Sequence, residues 1–526
     1  MKKDKDKKVK KKKELTKAEI EKNRKRFALF FIIWICILAI GLVRKYLQND
    51  TFYTIKIGEL ILNNGIDMMD HFSFHENLAY TYPHWLYDVF IYLVFKVGGY
   101  FGIYVSSIVL FMIMLMLVFK TNRKVSGNYS VAAFSTFICA LAVSGFATAR
   151  AQLASFLVFV LQIYFIESFL KNGKKKYLGG LLLLSLILCN IHVAVWPFYF
   201  ILFLPYLAEY VVSWIVSKIK IKKDNKFTKF LKNKFVLEKN SNIKYLFGTM
   251  IASLLTGLIT PIGDTPYTYL IKTMIGNSQS YIEEHQMLSW ANSPFTIIIA
   301  GETLFLSLFS KVKLRDFFMI CGLVLMSIVS TRHLSLLALI GTICFARLFS
   351  MFLEQLSFNF DDVVLNFFNK KIVAVISFIV VIIGASLLAG FESKKDYILK
   401  DLYPVDAVKY IKENINIDEM RIFNEYNFGS YLLLNDIPVF IDSRADLYTK
   451  QFSGFDYDIF DDYAYIPLNY HEKFDFYGIT HILIYKEDNQ LYNILDNSDN
   501  YINLYEDEFF VLYKRDGKDE FVVSFG

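Results

Sequence analysis

The sequence predicts a polytopic α-helical membrane protein of about 11 spans with a soluble α/β domain at its C-terminal end. Three observations carry that prediction. Mean hydropathy over the 526 residues is +0.36, with 55% hydrophobic residues, and the apolar runs are longer than a soluble core uses. The runs are punctuated by short polar turns. Charge is also segregated: residues 1–26 hold 14 Lys/Arg and 5 Asp/Glu, while residues 391–526 hold 13 and 27. Ends of opposite sign are expected on opposite sides of the membrane, the basic one in the cytoplasm.

Residues 1–26 read as a basic cytoplasmic tail. A hydrophobic span follows at once, so the expected partner is anionic lipid and not nucleic acid. No small-residue cleavage site follows the first apolar run, so that run is expected to be retained. Residues 27–390 form the transmembrane region, with apolar runs near 27–43, 85–97, 100–119, 129–148, 151–170, 177–190, 194–216, 245–262, 293–310, 314–330, 332–350 and 372–390. Most lack internal proline and read as helices. The excess of Lys and Arg places Lys171–Lys176, 218–244, Lys311–Arg315 and Arg347–Lys371 inside. Outer loops are then 44–84, Asn190–His192, 263–292 and Thr331–His333. Between residues 85 and 149 an even number of crossings is needed, yet three runs stand there. Either 85–97, which is short and carries Asp88, does not cross, or 129–148 re-enters.

In the first outer loop, Tyr53–Leu62 has helical apolar spacing and is expected to lie in the interface. Residues 391–526 form the extracytoplasmic domain, and from residue 403 it reads as a separate soluble unit. Pro404–Asn414 opens it as a helix. Val439–Ile441 and His481–Tyr485 read as buried strands. Phe509–Tyr513 reads as another, paired with Asn503–Tyr505 across an acidic turn. Five cysteines (Cys36, Cys139, Cys189, Cys321, Cys344) all lie in apolar runs and give neither a disulfide framework nor a CxxC metal pattern.

Ionisable residues at the mouths of spans are expensive and mark candidate sites. Asp50 and Asp70 are two carboxylates on one outer loop, as transfer of a sugar to a hydroxyl would need. The alternatives are a helix cap for Asp50 and a turn residue for Asp70. Arg150 and Arg332, with His333, stand outside against the charge rule and could hold a phosphate bidentately; an interface anchor is the alternative. Gln152, Asn190 and His192 interrupt apolar runs at outer turns and are candidate substrate ligands. Glu283, with Glu284 and His285, offers either a divalent metal site or ordinary surface polarity. Asp442, Arg444 and Tyr448 follow the strand Val439–Ile441, where ligand groups tend to sit; an internal Asp–Arg pair is the competing reading.

These residues form an ordered pattern. Asp50-x-Phe-x-x-x-x-x-Gly58 is followed by Asp70-x-Phe-Ser, Trp85-Leu, Gly98-Gly99, Arg150-x-Gln152, Asn190-x-His192, Ile282-x-Glu284 and Arg332 opening a late span. The tail adds Phe423-Asn424-x-Tyr426-x-x-Gly429-x-Tyr431-Leu432 and Phe440-Ile441-Asp442-x-Arg444-x-Asp446-x-Tyr448. The pattern resembles bacterial membrane proteins of the GT-C glycosyltransferase superfamily, in the branch related to dolichyl-phosphate-mannose protein mannosyltransferases that carries an outer α/β tail. It departs from it at Ala151, where Pro is usual, and around Asn190, where the usual Trp and Gly are missing. The resemblance implies a polyprenyl-phosphate sugar as donor, an outer active site, and a loop Asp, here Asp50, as the catalytic residue.

The expected function is therefore transfer of a hexosyl or pentosyl group from a polyprenyl-phosphate donor to a glycan, lipid or protein acceptor of the cell envelope. A lipid-linked glycan transporter would instead gather charge at mid-membrane. In the spans, Asp88 and Glu302 are the exceptions that would feed that reading. A non-catalytic scaffold with a glycan-binding tail is the remaining rival.

Overall fold

A computed structural model describes residues 17–218, 233–276, 294–368, 370–487 and 489–516. Among the described residues, seven helices are long and apolar enough to cross a membrane: Ala18–Leu42, Trp85–Ser126, Tyr129–Phe146, Ala151–Asn172, Val193–Lys218, Thr331–Gln355 and Lys371–Ser393. Lys176–Ile191, Ile243–Leu258 and Ala300–Phe309 are shorter apolar helices, and Leu314–Val329 is another. One apolar core, from Phe27 to Leu365, runs through the bundle.

A break inside Trp85–Ser126 bears on the crossing mismatch. Gly99 breaks it with φ 56° and ψ −149°, a conformation open only to glycine. At 1.5 Å per residue the first piece is about 20 Å long and the second about 40 Å, so only the second can cross a ~30 Å hydrocarbon core. Leu86, Phe90, Leu93 and Val97 form an exposed apolar stripe on the first piece, the pattern of a helix lying in the interface. Tyr129–Val143 is a single helix and does not re-enter.

At one end of the bundle lies the C-terminal domain. Its sheet has the order Ile422–Asn424, His481–Tyr485, Phe510–Arg515, Tyr501–Glu506; the first pair is parallel and the others antiparallel. The helix Val405–Asn414 opens behind Pro404, as expected. Two expectations are corrected here. Val439–Ile441 is buried but joins no sheet: Val439 bridges to Ser73, and Asn424 takes the main-chain positions around Phe440 and Ile441 with its amide. The domain is also not a separate unit. One apolar core contains Phe52, Ile57, Leu78 and Tyr82 of the first outer loop together with Ile422, Phe428, Ile441 and Leu512 of the tail. Helix Asn49–Asn64, expected in the interface, is buried between the bundle and the domain along Thr51–Ile55 and Ile57–Gly58. Two glycines allow this packing. A Cβ on Gly58 would stand 2.1 Å from the Asp88 carbonyl oxygen, and one on Gly429 2.0 Å from that of Ile441.

Candidate active site

A cavity of about 720 Å³ lies where the bundle meets the domain. Asp50, in the first turn of Asn49–Asn64, faces it; the N-cap position belongs to Gln48, so Asp50 is not the cap. Arg150 immediately precedes helix Ala151–Asn172, and its Nη2 lies 2.6 Å from Asp50 Oδ2, with the side chains 30% and 23% exposed. Thr51 Oγ1 donates to the Ala149 carbonyl at 3.2 Å, and Thr148 Oγ1 to Gln48 Oε1 at 3.1 Å. These bonds pin the two chain segments that carry the ion pair.

Gln152, His192, Arg332 and His333 line the same cavity. Gln152 donates to Ser335 Oγ at 3.0 Å, and Ser155 Oγ lies 2.9 Å from His192 Nδ1. Burial holds the His192 imidazole well below its usual range, so it is neutral at pH 7. Six residues scattered from 50 to 333 thus converge, as the sequence pattern expects.

Other candidates fall elsewhere. Asp70 is fully buried and does not line the cavity. It accepts from Ser73 N at 2.9 Å and Ser73 Oγ at 2.6 Å, and pairs with Arg444 Nη1 at 2.5 Å. Burial would raise its carboxyl, but Arg444 and Ser73 outweigh burial and hold it below its usual value. Its catalytic assignment is therefore corrected to that of a structural clamp, because its carboxylate is sealed and both oxygens are taken, Oδ2 by Ser73 and Oδ1 by Arg444. Asp442 takes the other side of Arg444, at 2.7 Å from Nη2, and accepts from Tyr448 Oη at 2.6 Å. Asp442 and Tyr448 are sealed as well, so the internal-pair reading holds and their substrate-binding assignment is corrected. Only Arg444 reaches the cavity wall, with its side chain 2% exposed. Asn190 is also structural: it accepts from Trp85 Nε1 at 3.0 Å and donates to the Leu186 and Ile259 carbonyls. Glu283, with its neighbours Glu284 and His285, lies outside the described residues. Among the described residues no three His, Cys, Asp or Glu side chains group as metal ligands.

Three cavity residues stand outside the sequence pattern, Tyr53, His84 and Tyr269, while Tyr426 and Asp446 of the tail motifs line the cavity with no role assigned from sequence. Tyr269 donates its hydroxyl to Asp446 Oδ2, and Asn49 Nδ2 donates to the Tyr426 carbonyl at 2.8 Å. Among 34 tyrosines nothing local marks Tyr53 or Tyr269. His84 and Asp88 had a signal in their i, i+4 spacing at a helix start.

No protein-family model matches the chain, and no curated protein sequence matches it. Solved structures do. The oligosaccharyltransferase of Archaeoglobus fulgidus, in a crystal structure tethered with an acceptor peptide containing the NVT sequon, aligns with TM-score 0.55 at 11% identity, covering 87% of this chain and 69% of that one. ArnT from Cupriavidus metallidurans, bound to undecaprenyl phosphate, aligns with TM-score 0.51 at 11% identity, covering 93% and 98%. This chain shares the fold of these two structures. At such low identity the likeness is one of architecture. In this chain the shared architecture is a helical bundle followed by a small sheet-containing domain.

Proposed function

We propose that the chain is a membrane glycosyltransferase that moves a sugar from a polyprenyl-phosphate donor to an acceptor hydroxyl on the outer face, with Asp50 as catalytic base. One observation carries the reading: a carboxylate open to a 720 Å³ cavity and held by an arginine at 2.6 Å, at the junction of a lipid-facing bundle and an outer domain. A cavity of that volume is of ligand size.

In this reading the acceptor hydroxyl gives its proton to the Asp50 carboxylate. Its oxygen forms the new bond to the anomeric carbon. The bond from that carbon to the phosphate oxygen breaks, and the phosphate leaves with the electron pair. Arg332 and His333 hold the phosphate, and Arg150 fixes Asp50 while adding positive charge to the same wall. Gln152 and His192 border the bound sugar. Burying the outer loop and the tail in one core keeps these groups in register, since no part of the wall is free to move alone. The names of the two aligned enzymes support a lipid-linked donor, because one is an oligosaccharyltransferase and the other was solved with undecaprenyl phosphate.

The test is the mass of lipid-linked and envelope-linked glycans in cells with the chain, without it, and with Asp50→Asn. A species one sugar heavier that needs the intact chain is expected. Identical glycan masses in all three would refute the reading. For the proposed orientation, Lys409→Cys on the exposed helix Val405–Asn414 is expected to react with an impermeant thiol reagent in intact cells; labelling only after lysis would place the cavity inside.

A further inference from the structure

Tyr53 is among the cavity-lining groups that the proposed transfer leaves unused. Tyr53 stands one turn after Asp50 on the same helix and faces the same cavity. Its hydroxyl lies 3.0 Å from His84 Nε2, and His84 Nδ1 lies 2.6 Å from Asp88 Oδ1. Asp88 is fully buried, and Tyr53 and His84 nearly so. The three form a line from a sealed carboxylate to the cavity wall. Gly58 makes the line possible, because any larger residue would push its helix off the Asp88 backbone.

The position of each hydrogen follows from donor and acceptor roles. An ionised Asp88 can only accept, so His84 Nδ1 carries a hydrogen. If the ring is neutral, bare Nε2 accepts a hydrogen bond from the Tyr53 hydroxyl, whose hydrogen then points away from the cavity. If the ring is protonated, Nε2–H donates to the Tyr53 oxygen, and the phenolic hydrogen must point into the cavity. The phenol itself does not ionise, since burial pushes it well above its usual value. The groups facing the imidazole are Asp88 one turn along, Asp50 from Asn49–Asn64, Arg150, and His192, whose ring centre is 6.3 Å away. Arg444 acts on Asp88 from beyond, and Asp88 in turn acts on Tyr80. Burial works against the imidazolium, but Asp88 outweighs it and the ring titrates above its ordinary value.

We propose that Tyr53, oriented by His84 and Asp88, is a hydrogen-bond donor to the phosphate of the lipid-linked substrate. The proposal rests on the transferase reading. An ionised phosphate oxygen only accepts hydrogen bonds from such a group, so the contact forms when His84 is protonated and is lost when it is not. As the bond from the anomeric carbon to oxygen breaks, the electron pair passes to the phosphate, and the charge that grows there meets the Tyr53 hydroxyl. Such a bond strengthens in the transition state. No proton changes owner on this arm. His84 and Asp88 are positioning residues, and Tyr53 touches substrate.

The experiment measures binding of undecaprenyl phosphate, undecaprenol and inorganic phosphate to the full chain in detergent, for the wild type, Tyr53→Phe and His84→Gln, from about pH 5 to 8. At the acid end the wild type is expected to hold undecaprenyl phosphate about tenfold tighter than Tyr53→Phe, the scale of one hydrogen bond to a charged group. The ratio of the two should shrink toward one as pH rises. His84→Gln should show affinity without that pH-dependent component. Undecaprenol should not distinguish wild type from Tyr53→Phe. The same ratio with inorganic phosphate would support the contact and assign it to the headgroup alone; a ratio confined to undecaprenyl phosphate would support it and require the lipid. A ratio of one at every pH, or one that does not change with pH, would overturn the Tyr53 arm while leaving the transferase reading in place. If no variant binds undecaprenyl phosphate, the transferase reading falls and the arm with it.

Discussion

Both ends of the helix bundle bury arginines against carboxylates, and the two ends use them differently. At the end away from the domain, Arg315 meets Glu167 at 3.2 Å, Glu209 at 2.9 Å and Glu238 at 3.2 Å, and Arg347 meets Glu167 at 2.6 Å and Asp316 at 2.7 Å. Lys313 adds Glu238 at 2.8 Å, and Tyr206 donates to Glu167 at 3.1 Å. None of these residues lines the 720 Å³ cavity. At the domain end, the clamp Asp70–Arg444–Asp442 is equally sealed, but the pair Asp50–Arg150 opens onto the cavity. Sealed charge must find its partners inside the fold and so works as scaffold. Charge opened to a cavity can exchange its partner for a ligand. The inner cluster also corrects the expectation that the spans carry little charge beyond Asp88 and Glu302. It sits in the last turns of Ala151–Asn172 and the first of Leu314–Val329, toward one end of the bundle and not at its middle. A transport path would place such groups along a midplane cavity.

Breaking the inner cluster should have the largest effect on stability. Arg347→Met leaves Glu167 and Asp316 buried beside a neutral side chain, and about 3–5 kcal/mol should be lost. Thermal unfolding in detergent would register it, while the transfer rate per folded molecule should hold. A variant with unchanged melting but lost transfer would place Arg347 in the chemistry and erase the contrast drawn here. Arg444→Leu probes the sealed clamp at the other end. Stranding Asp70 and Asp442 should cost about 3 kcal/mol and loosen the contact between the outer loop and the tail. Hydrogen exchange should then rise at Phe74 and Val439, whose backbones are bonded to each other in the intact protein.

Acid offers a milder probe of the same contact. His75 is buried in it, 2.8 Å from the Phe440 carbonyl oxygen, and burial lowers its imidazole to about 4. The unfolded chain takes up a proton near pH 6.5 and the folded one only near 4, so this contribution to stability is intact above about 6.5 and is lost as pH falls toward 4. The loss should reach about 2–3 kcal/mol, and His75→Gln should remove that part of the acid sensitivity. An identical acid profile for the variant would show that His75 does not carry it.

How legible the two ends were in the sequence differs for a physical reason. Asp50, Arg150, Gln152, His192, Arg332 and His333 each stand at the polar end of an apolar run, where the price of charge is visible in a single sequence. The cavity groups supplied by packing were not visible. Tyr269 arrives from a helix far away in the chain to meet Asp446, which stood in the tail motif without an assigned role. Asp88 read as a defect in a short span, although its partner His84 lies one turn before it. Asp70 and Asp442 looked like site carboxylates because local sequence does not show that they share one arginine, Arg444, 374 residues from Asp70. The inner cluster was hidden in the same way, since Arg315 and Glu167 are 148 residues apart. Among the described residues, Asn240 bonds to the Leu170 carbonyl and Lys313 pairs with Glu238, so three of the segments expected on one side do meet.

Asp50→Asn tests the central claim most directly. The substitution keeps the shape, and the open pair it breaks should change stability by no more than about 1 kcal/mol. The measurement is the rate of sugar transfer by the purified variant, alongside its melting temperature. A variant that melts like the wild type but transfers roughly a hundredfold or more slowly, the scale of a lost base, is the predicted result. Wild-type melting with near-normal transfer would contradict the account and move the search for the base to Asp446.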